Sequence, residues 1–71
     1  MKRGGLTLRQ LEVLRLIALG KTNKDIAGDL FLSPRTVDMH VGNIFTRLDS
    51  RSRTDAVRKA GELGLLEGST Q

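Results

Sequence analysis

Cysteine, tryptophan and tyrosine are absent from the 71 residues, and there is a single proline. Without cysteine there is no disulfide staple and no thiolate metal site. The only aromatic rings are Phe31 and Phe45. That excludes single-strand nucleic-acid binders that stack bases on aromatic platforms, so any nucleic-acid partner is expected to be double-stranded. No apolar run approaches a membrane span, and the first residues lack the apolar core of a signal peptide. The one histidine, His40, has no Cys or second His to share a metal with, and no serine or cysteine nucleophile pairs with it by motif. It is expected to pack or hydrogen-bond. These absences point to a soluble intracellular protein that is not an enzyme and needs no cofactor or metal.

What is present is positive charge. Twelve Lys and Arg face eight Asp and Glu, giving a net charge of +4 and a pI near 10.4. That balance suits an anionic partner, although many small basic proteins bind nothing acidic. A chain of this length makes one domain with a modest core, so its local signals must agree well to specify a fold.

They do agree. Residues 1–5 form a short basic lead, read as a flexible arm or linker. Thr7 and Gln10 make a capping box, with Leu6 and Leu11 placed as a hydrophobic staple. Val13, Leu14, Ile17 and Ala18 then repeat at helical spacing, and Gly20 is a natural stop, predicting a helix over about 8–19. Thr22 or Asn23 can cap a second, two-turn helix, with Asp25 in its positive first turn and Ile26, Ala27 and Leu30 on one face. Ser33 caps a third helix that has Pro34 at its first position and a second staple in Leu32 and Val37. Its stripe is Val37, Val41, Ile44, Phe45 and Leu48, and it should end near Asp49. Ser52 caps a fourth helix, whose light apolar face is Ala56, Ala60 and Leu63. Gly64 ends it, and Leu65 and Leu66 can fold back on the core. Residues 67–71 read as a frayed tail.

The expected fold is all-α, four helices with no strand signal. A two-turn helix, a tight connection around Phe31–Ser33 and a longer, cleanly capped helix make a helix-turn-helix, with a generic helical bundle as the alternative. Ala27 favours the former, since a small residue lets two helices cross closely. The apolar stripe of helix three leaves Arg35, Met39, Gly42 and Thr46 facing outward, with Asn43 beside them. Asp38 borders one edge of this face; Thr36, His40 and Arg47 border the other. The face is small and lightly charged, so it can approach another surface closely. Lys21 and Lys24 flank it at the start of helix two, as do Arg47, Arg51 and Arg53 between helices three and four, with Arg58 and Lys59 following. Flanking cations around a sparse central helix suit a duplex reader that grips phosphates from the sides. The N–H groups opening helix two could add a phosphate site. "GKT" at Gly20–Thr22 looks like the end of a phosphate-binding loop, but Arg15 stands where the loop needs glycine and a helix precedes it instead of a strand.

The segments "LT.R..EVL", "G.TNKDIA..L.LS..TV..H..NI..RL" and "SR..AV" resemble the LuxR-type (NarL/FixJ-like) DNA-binding domain of bacterial transcription regulators, in order and spacing, from about Leu6 to Leu66. The resemblance implies one domain over 6–66, a helix-turn-helix over about 22–41 and helix three in the major groove. It implies base reading by Asp38, Met39 and Gly42, to which Asn43 is added from the exposed face. Phosphate contacts map onto Lys24, Ser33, Arg35 and Thr36, and then onto His40, Arg47 and Arg53. The fourth helix carries the dimer contact, with Val57 and Lys59 as candidates. The implied function is sequence-specific binding of double-stranded DNA, as the output domain of a response regulator or similar protein in the bacterial cytoplasm. Implied partners are a second copy on DNA, RNA polymerase and an N-terminal signal-receiving domain. A protein-interaction module that kept the fold is the competing class.

Two departures stand out. Lysine is usual after "TV" in this family, and Asp38 stands there; a longer polar side chain is common where Gly42 stands. Asp38 could accept a hydrogen bond from a cytosine amino group. It could repel phosphate and penalise wrong sites. Or it could pair with Arg35 three residues earlier, the reading preferred from spacing alone.

Overall fold

A hydroxyl side chain precedes every helix. In the computed structural model, which describes residues 2–3 and 5–66, Thr7, Thr22, Ser33 and Ser52 cap α1 (Leu8–Ala18), α2 (Asn23–Leu30), α3 (Pro34–Leu48) and α4 (Arg53–Glu62). Each cap oxygen accepts from the backbone N–H three residues on, at 3.0–3.1 Å. Such a cap contributes about 1 kcal/mol relative to alanine. For α1 and α2 the third residue answers back. Gln10 Oε1 accepts from the Thr7 N–H and Asp25 Oδ2 from the Thr22 N–H, closing two capping boxes. That bond is why Gln10 can be buried.

The helices also end alike. In each, the N–H two residues past the last full turn returns to a carbonyl five residues back: Lys21 to Leu16, Leu32 to Ala27, Ser50 to Phe45 and Leu65 to Ala60. This closure needs a left-handed residue just before the donor. Gly20 and Gly64 fill that place at two ends, whereas Phe31 (φ 57°) and Asp49 (φ 52°) fill it at the others. The closures let connections of three or four residues turn the chain sharply.

Burial follows the helical stripes. Val13, Leu14 and Ile17 of α1, Ile26 and Ala27 of α2, Val37, Val41, Ile44 and Leu48 of α3, and Ala56 and Ala60 of α4 form one core. α1 and α3 each pack on the other three helices. Leu6 and Leu11 are both buried, as a staple requires, and Leu65 folds back to 3 % exposure. Two residues expected on apolar faces lie outside. Ala18, at the end of α1, is exposed, and so is Leu63, because α4 stops at Glu62 and the chain turns before Leu63 can reach the core.

The structure adds one element that the sequence does not signal. Lys2–Arg3 (β1) and Leu6–Thr7 (β2) pair antiparallel, Lys2 opposite Thr7 and Arg3 opposite Leu6. Two residues are too few to show alternation, so periodicity cannot reveal such a ribbon. Gly5, at φ 82°, turns it. A Cβ added at Gly5 would come to 3.8 Å from the stem of Arg47, an ordinary contact distance. The expected tail over 67–71, with Met1 and Gly4, falls outside the described residues.

Candidate nucleic-acid interface

Because Val37, Val41, Ile44 and Leu48 are buried, α3 must turn Arg35, Met39, Gly42, Asn43 and Thr46 outward, and all five are exposed. Met39 presents its thioether side chain at 56 % exposure. At Gly42 even an added Cβ would meet nothing within 4 Å, so the helix surface there is bare backbone. Thr46 Oγ1 donates back to the Gly42 carbonyl at 3.1 Å and so is occupied within its own helix. Thr36 and His40 are half-buried at one edge. The His40 Nδ1 is enclosed with no hydrogen-bond partner among the described residues, which leaves that nitrogen a packing role.

The start of α3 holds Ser33 and Thr36 together. Their hydroxyl oxygens lie 2.9 Å apart, so one O–H is used between them and the other stays available to an acceptor outside. At the start of α2 the capping box occupies the N–H groups of Thr22 and Asp25 and leaves those of Asn23 and Lys24 unused by it. The Thr22 N–H, and then its hydroxyl, hold the Asp25 carboxyl below its ordinary pKa.

The cations divide into two groups. Lys21 pairs with Asp29 at 3.5 Å, and Arg58 spans Asp55 at 2.7 Å and Glu62 at 2.9 Å. Lys59 donates to the Asp49 carbonyl, satisfying the end of α3, and faces Asp55 at 3.6 Å. The Arg58 guanidinium holds the Asp55 carboxyl down, and the two acids in turn raise the Arg58 pKa. Lys24, Arg35, Arg47 and Arg51 are exposed and form no ion pair among the described residues. The charge of α4 is thus largely neutralised on the spot. Around α2 and α3, Lys21 is matched by Asp29, whereas Lys24, Arg35 and Arg47 have no acid partner among the described residues.

Arg53 does not stand free beside Arg47. Its Nη1 donates to the Lys21 carbonyl at 3.1 Å and its Nη2 donates to Asn23 Oδ1. Arg51 is the exposed arginine of that pair. Asp38 is not paired with Arg35, contrary to the reading preferred from spacing. Its Oδ1 accepts from Asn23 Nδ2, fifteen residues earlier. The direction of the Asp38 side chain, toward α2 and away from the start of its own helix, is the physical reason. Sequence spacing reports contacts within a helix, and this contact lies between two. Asn23 is thus the residue that sequence reasoning missed, having been considered only as a helix cap. Val57, a candidate dimer residue, is half-buried against the core and lines an open groove with Ile17, Lys21, Asn23 and Arg53.

Residues 5–60 match the family described as "Bacterial regulatory proteins, luxR family". Among curated proteins, the chain is 48 % identical over 59 residues to the uncharacterized transcriptional regulatory protein YvfU of Bacillus subtilis, covering 83 % of this chain and 30 % of that protein. It is 53 % identical over 51 residues to the transcriptional regulatory protein LiaR of the same organism, covering 72 % and 24 %. It is 47 % identical over 62 residues to the oxygen regulatory protein NreC of Staphylococcus haemolyticus, covering 87 % and 29 %. The crystal structure of the response regulator ChrA of a heme-sensing two-component system superposes with a TM-score of 0.84 at 32 % identity, over 92 % of this chain and 32 % of that one. The chain therefore spans under a third of these relatives. Four helices with an exposed third, matched over most of their length, are the helix-turn-helix domain of that group, and the chain belongs to the luxR family of bacterial regulatory proteins.

Proposed function

We propose that this domain binds double-stranded DNA sequence-specifically and thereby regulates transcription, with α3 in the major groove. The observation that carries the reading is the division of the cations. Lys24, Arg35, Arg47 and Arg51 are exposed and form no ion pair among the described residues around a sparse face, while Arg58 and Lys59 of α4 are matched by acids. In this reading Asp38, Met39, Gly42 and Asn43 meet base edges, and Met39 offers an apolar contact to a thymine methyl. Lys24, Ser33, Arg35, Thr36 and Arg47 meet phosphates, with His40 at the margin and Arg51 in the place first given to Arg53.

A salt series tests this. The logarithm of the affinity should fall with the logarithm of salt by about 0.9 for each phosphate neutralised, hence roughly 3.6 per domain if Lys24, Arg35, Arg47 and Arg51 each neutralise one. No binding to any duplex at low salt would leave the protein-interaction reading in its place. The larger context is part of the proposal. The domain would serve as the output part of a longer regulator in the bacterial cytoplasm, joined to a signal-receiving domain and acting on RNA polymerase. It would bind as a dimer through α4, with Val57 and Lys59 near the contact.

A further inference from the structure

We infer that Asn23 and Arg53 are positioning residues that aim the Asp38 carboxylate at one base, so that part of the sequence specificity of α3 is set by α2 and α4. The inference rests on the duplex-binding reading above. It begins from two hydrogen bonds that share one amide: Arg53 Nη2 donates to Asn23 Oδ1, and Asn23 Nδ2 donates to Asp38 Oδ1.

The chemistry of the three groups allows only this direction. A guanidinium has donors and no acceptor, and a carboxylate has acceptors and no donor. An amide held between them must turn its oxygen to the arginine and its nitrogen to the acid. Arg53 is itself fixed by a second bond, from Nη1 to the Lys21 carbonyl at 3.1 Å, and both Arg53 and Asn23 are half-buried. The fork therefore grips the connection before α2 and the first residue of α2 at once. Lysine, a single point donor on a flexible stem, cannot reproduce that grip.

The consequence falls on Asp38. A free aspartate on an exposed helix face samples several rotamers. Here Oδ1 is held from the side of α2, and Oδ2 makes no hydrogen bond among the described residues. A fixed acceptor on a major-groove face selects a base with an exocyclic amino group, and cytosine N4 is the usual donor to a carboxylate. The acid on a recognition helix in a chain of net charge +4 then reads as a clamped acceptor.

The test is selection from a random duplex library with wild-type protein, Asp38→Ala, Asn23→Ala, Arg53→Lys and the double variant Asn23→Ala/Asp38→Ala. Asn23→Ser stands in should Asn23→Ala fold poorly. The wild-type protein should prefer cytosine at one position, and Asp38→Ala should lose that preference. Asn23→Ala and Arg53→Lys should relax the same position and leave the rest of the site intact. The double variant should discriminate within about twofold of Asp38→Ala alone, because residues acting as one unit are not additive. A uniform loss of affinity across all sequences on Asn23→Ala would make Asn23 a phosphate contact and overturn the inference. So would unchanged preference in Asn23→Ala or Arg53→Lys. A second readout needs no DNA: the Asn23 side-chain amide signals of the free protein should shift in both Asp38→Ala and Arg53→Lys, and signals unmoved by either would remove the contact chain. Failure of the wild-type protein to select any duplex would instead remove the duplex-binding reading, and the specificity role with it. The amide signals would still report whether the chain of contacts exists.

Discussion

Phe31 is the residue most at odds with its surroundings. Its backbone is left-handed at φ 57° and its side chain is 94 % exposed. A left-handed conformation costs a residue with a Cβ roughly 1–2 kcal/mol, and glycine is the usual occupant of this helix-ending position. Phe31→Gly is expected to raise stability by about 0.5–1 kcal/mol, less than the full cost because glycine also gains freedom in the unfolded chain. Thermal unfolding would show it as a melting temperature several degrees higher; a drop would mean that the exposed ring contributes packing. Gly42 poses the opposite case. An added methyl meets nothing in the free domain, so Gly42→Ala should stabilise the helix by about 1 kcal/mol. The same methyl stands on the face assigned to base edges, so duplex affinity should fall several-fold. Unfolding and anisotropy measurements on one variant would thus move in opposite directions. Unchanged affinity would place Gly42 away from the DNA.

At the scale of the element, the helices are legible because their signals are local. Each cap, box and glycine stop involves residues within five positions of one another, and the start residues Thr7, Ser33 and Ser52 are readable without tertiary information. The outward face of α3 is legible for the same reason, since a buried stripe fixes its opposite. What was not legible lies between elements. Arg53 reaching Asn23, Asn23 reaching Asp38 and Lys59 reaching the Asp49 carbonyl join residues ten to thirty positions apart. No periodicity encodes such contacts, so Asp38 was given the only neighbour that its own helix offers. Phe31 escaped because a left-handed end is normally announced by glycine. The first-turn acids Asp25 and Asp55 carry a prediction here. Both have folded pKa values below the ordinary one, Asp25 chiefly through the Thr22 N–H and Asp55 chiefly through Arg58. A depressed carboxylate contributes stability that is present above its unfolded pKa of about 3.9 and is lost as pH falls through the lower folded value. Stability should therefore decline below about pH 4. Asp25→Asn and Asp55→Asn should each flatten that acid limb in unfolding curves taken across pH. An unchanged limb would show that neither acid is linked to folding.

At the scale of the whole molecule, charge and shape divide the labour. α1 and the core hold α3 outward, Arg58 and Lys59 of α4 are matched by acids of the same helix, and Lys24, Arg35, Arg47 and Arg51 are left for an anion. In the proposed dimeric reading one such domain would cover about half of a two-fold DNA site, with half-sites one helical turn apart. Sedimentation should find two copies on a duplex carrying both half-sites and one copy when a half-site is deleted. A single copy on the complete site would remove α4 as a dimer contact. The central claim is that α3 and the start of α2 meet the duplex, and it is tested most directly by adding the selected duplex to isotope-labelled protein at low salt. The backbone amides of Lys24, Met39, Gly42 and Asn43 should shift most. Shifts confined to α4, or none at all, would contradict the account.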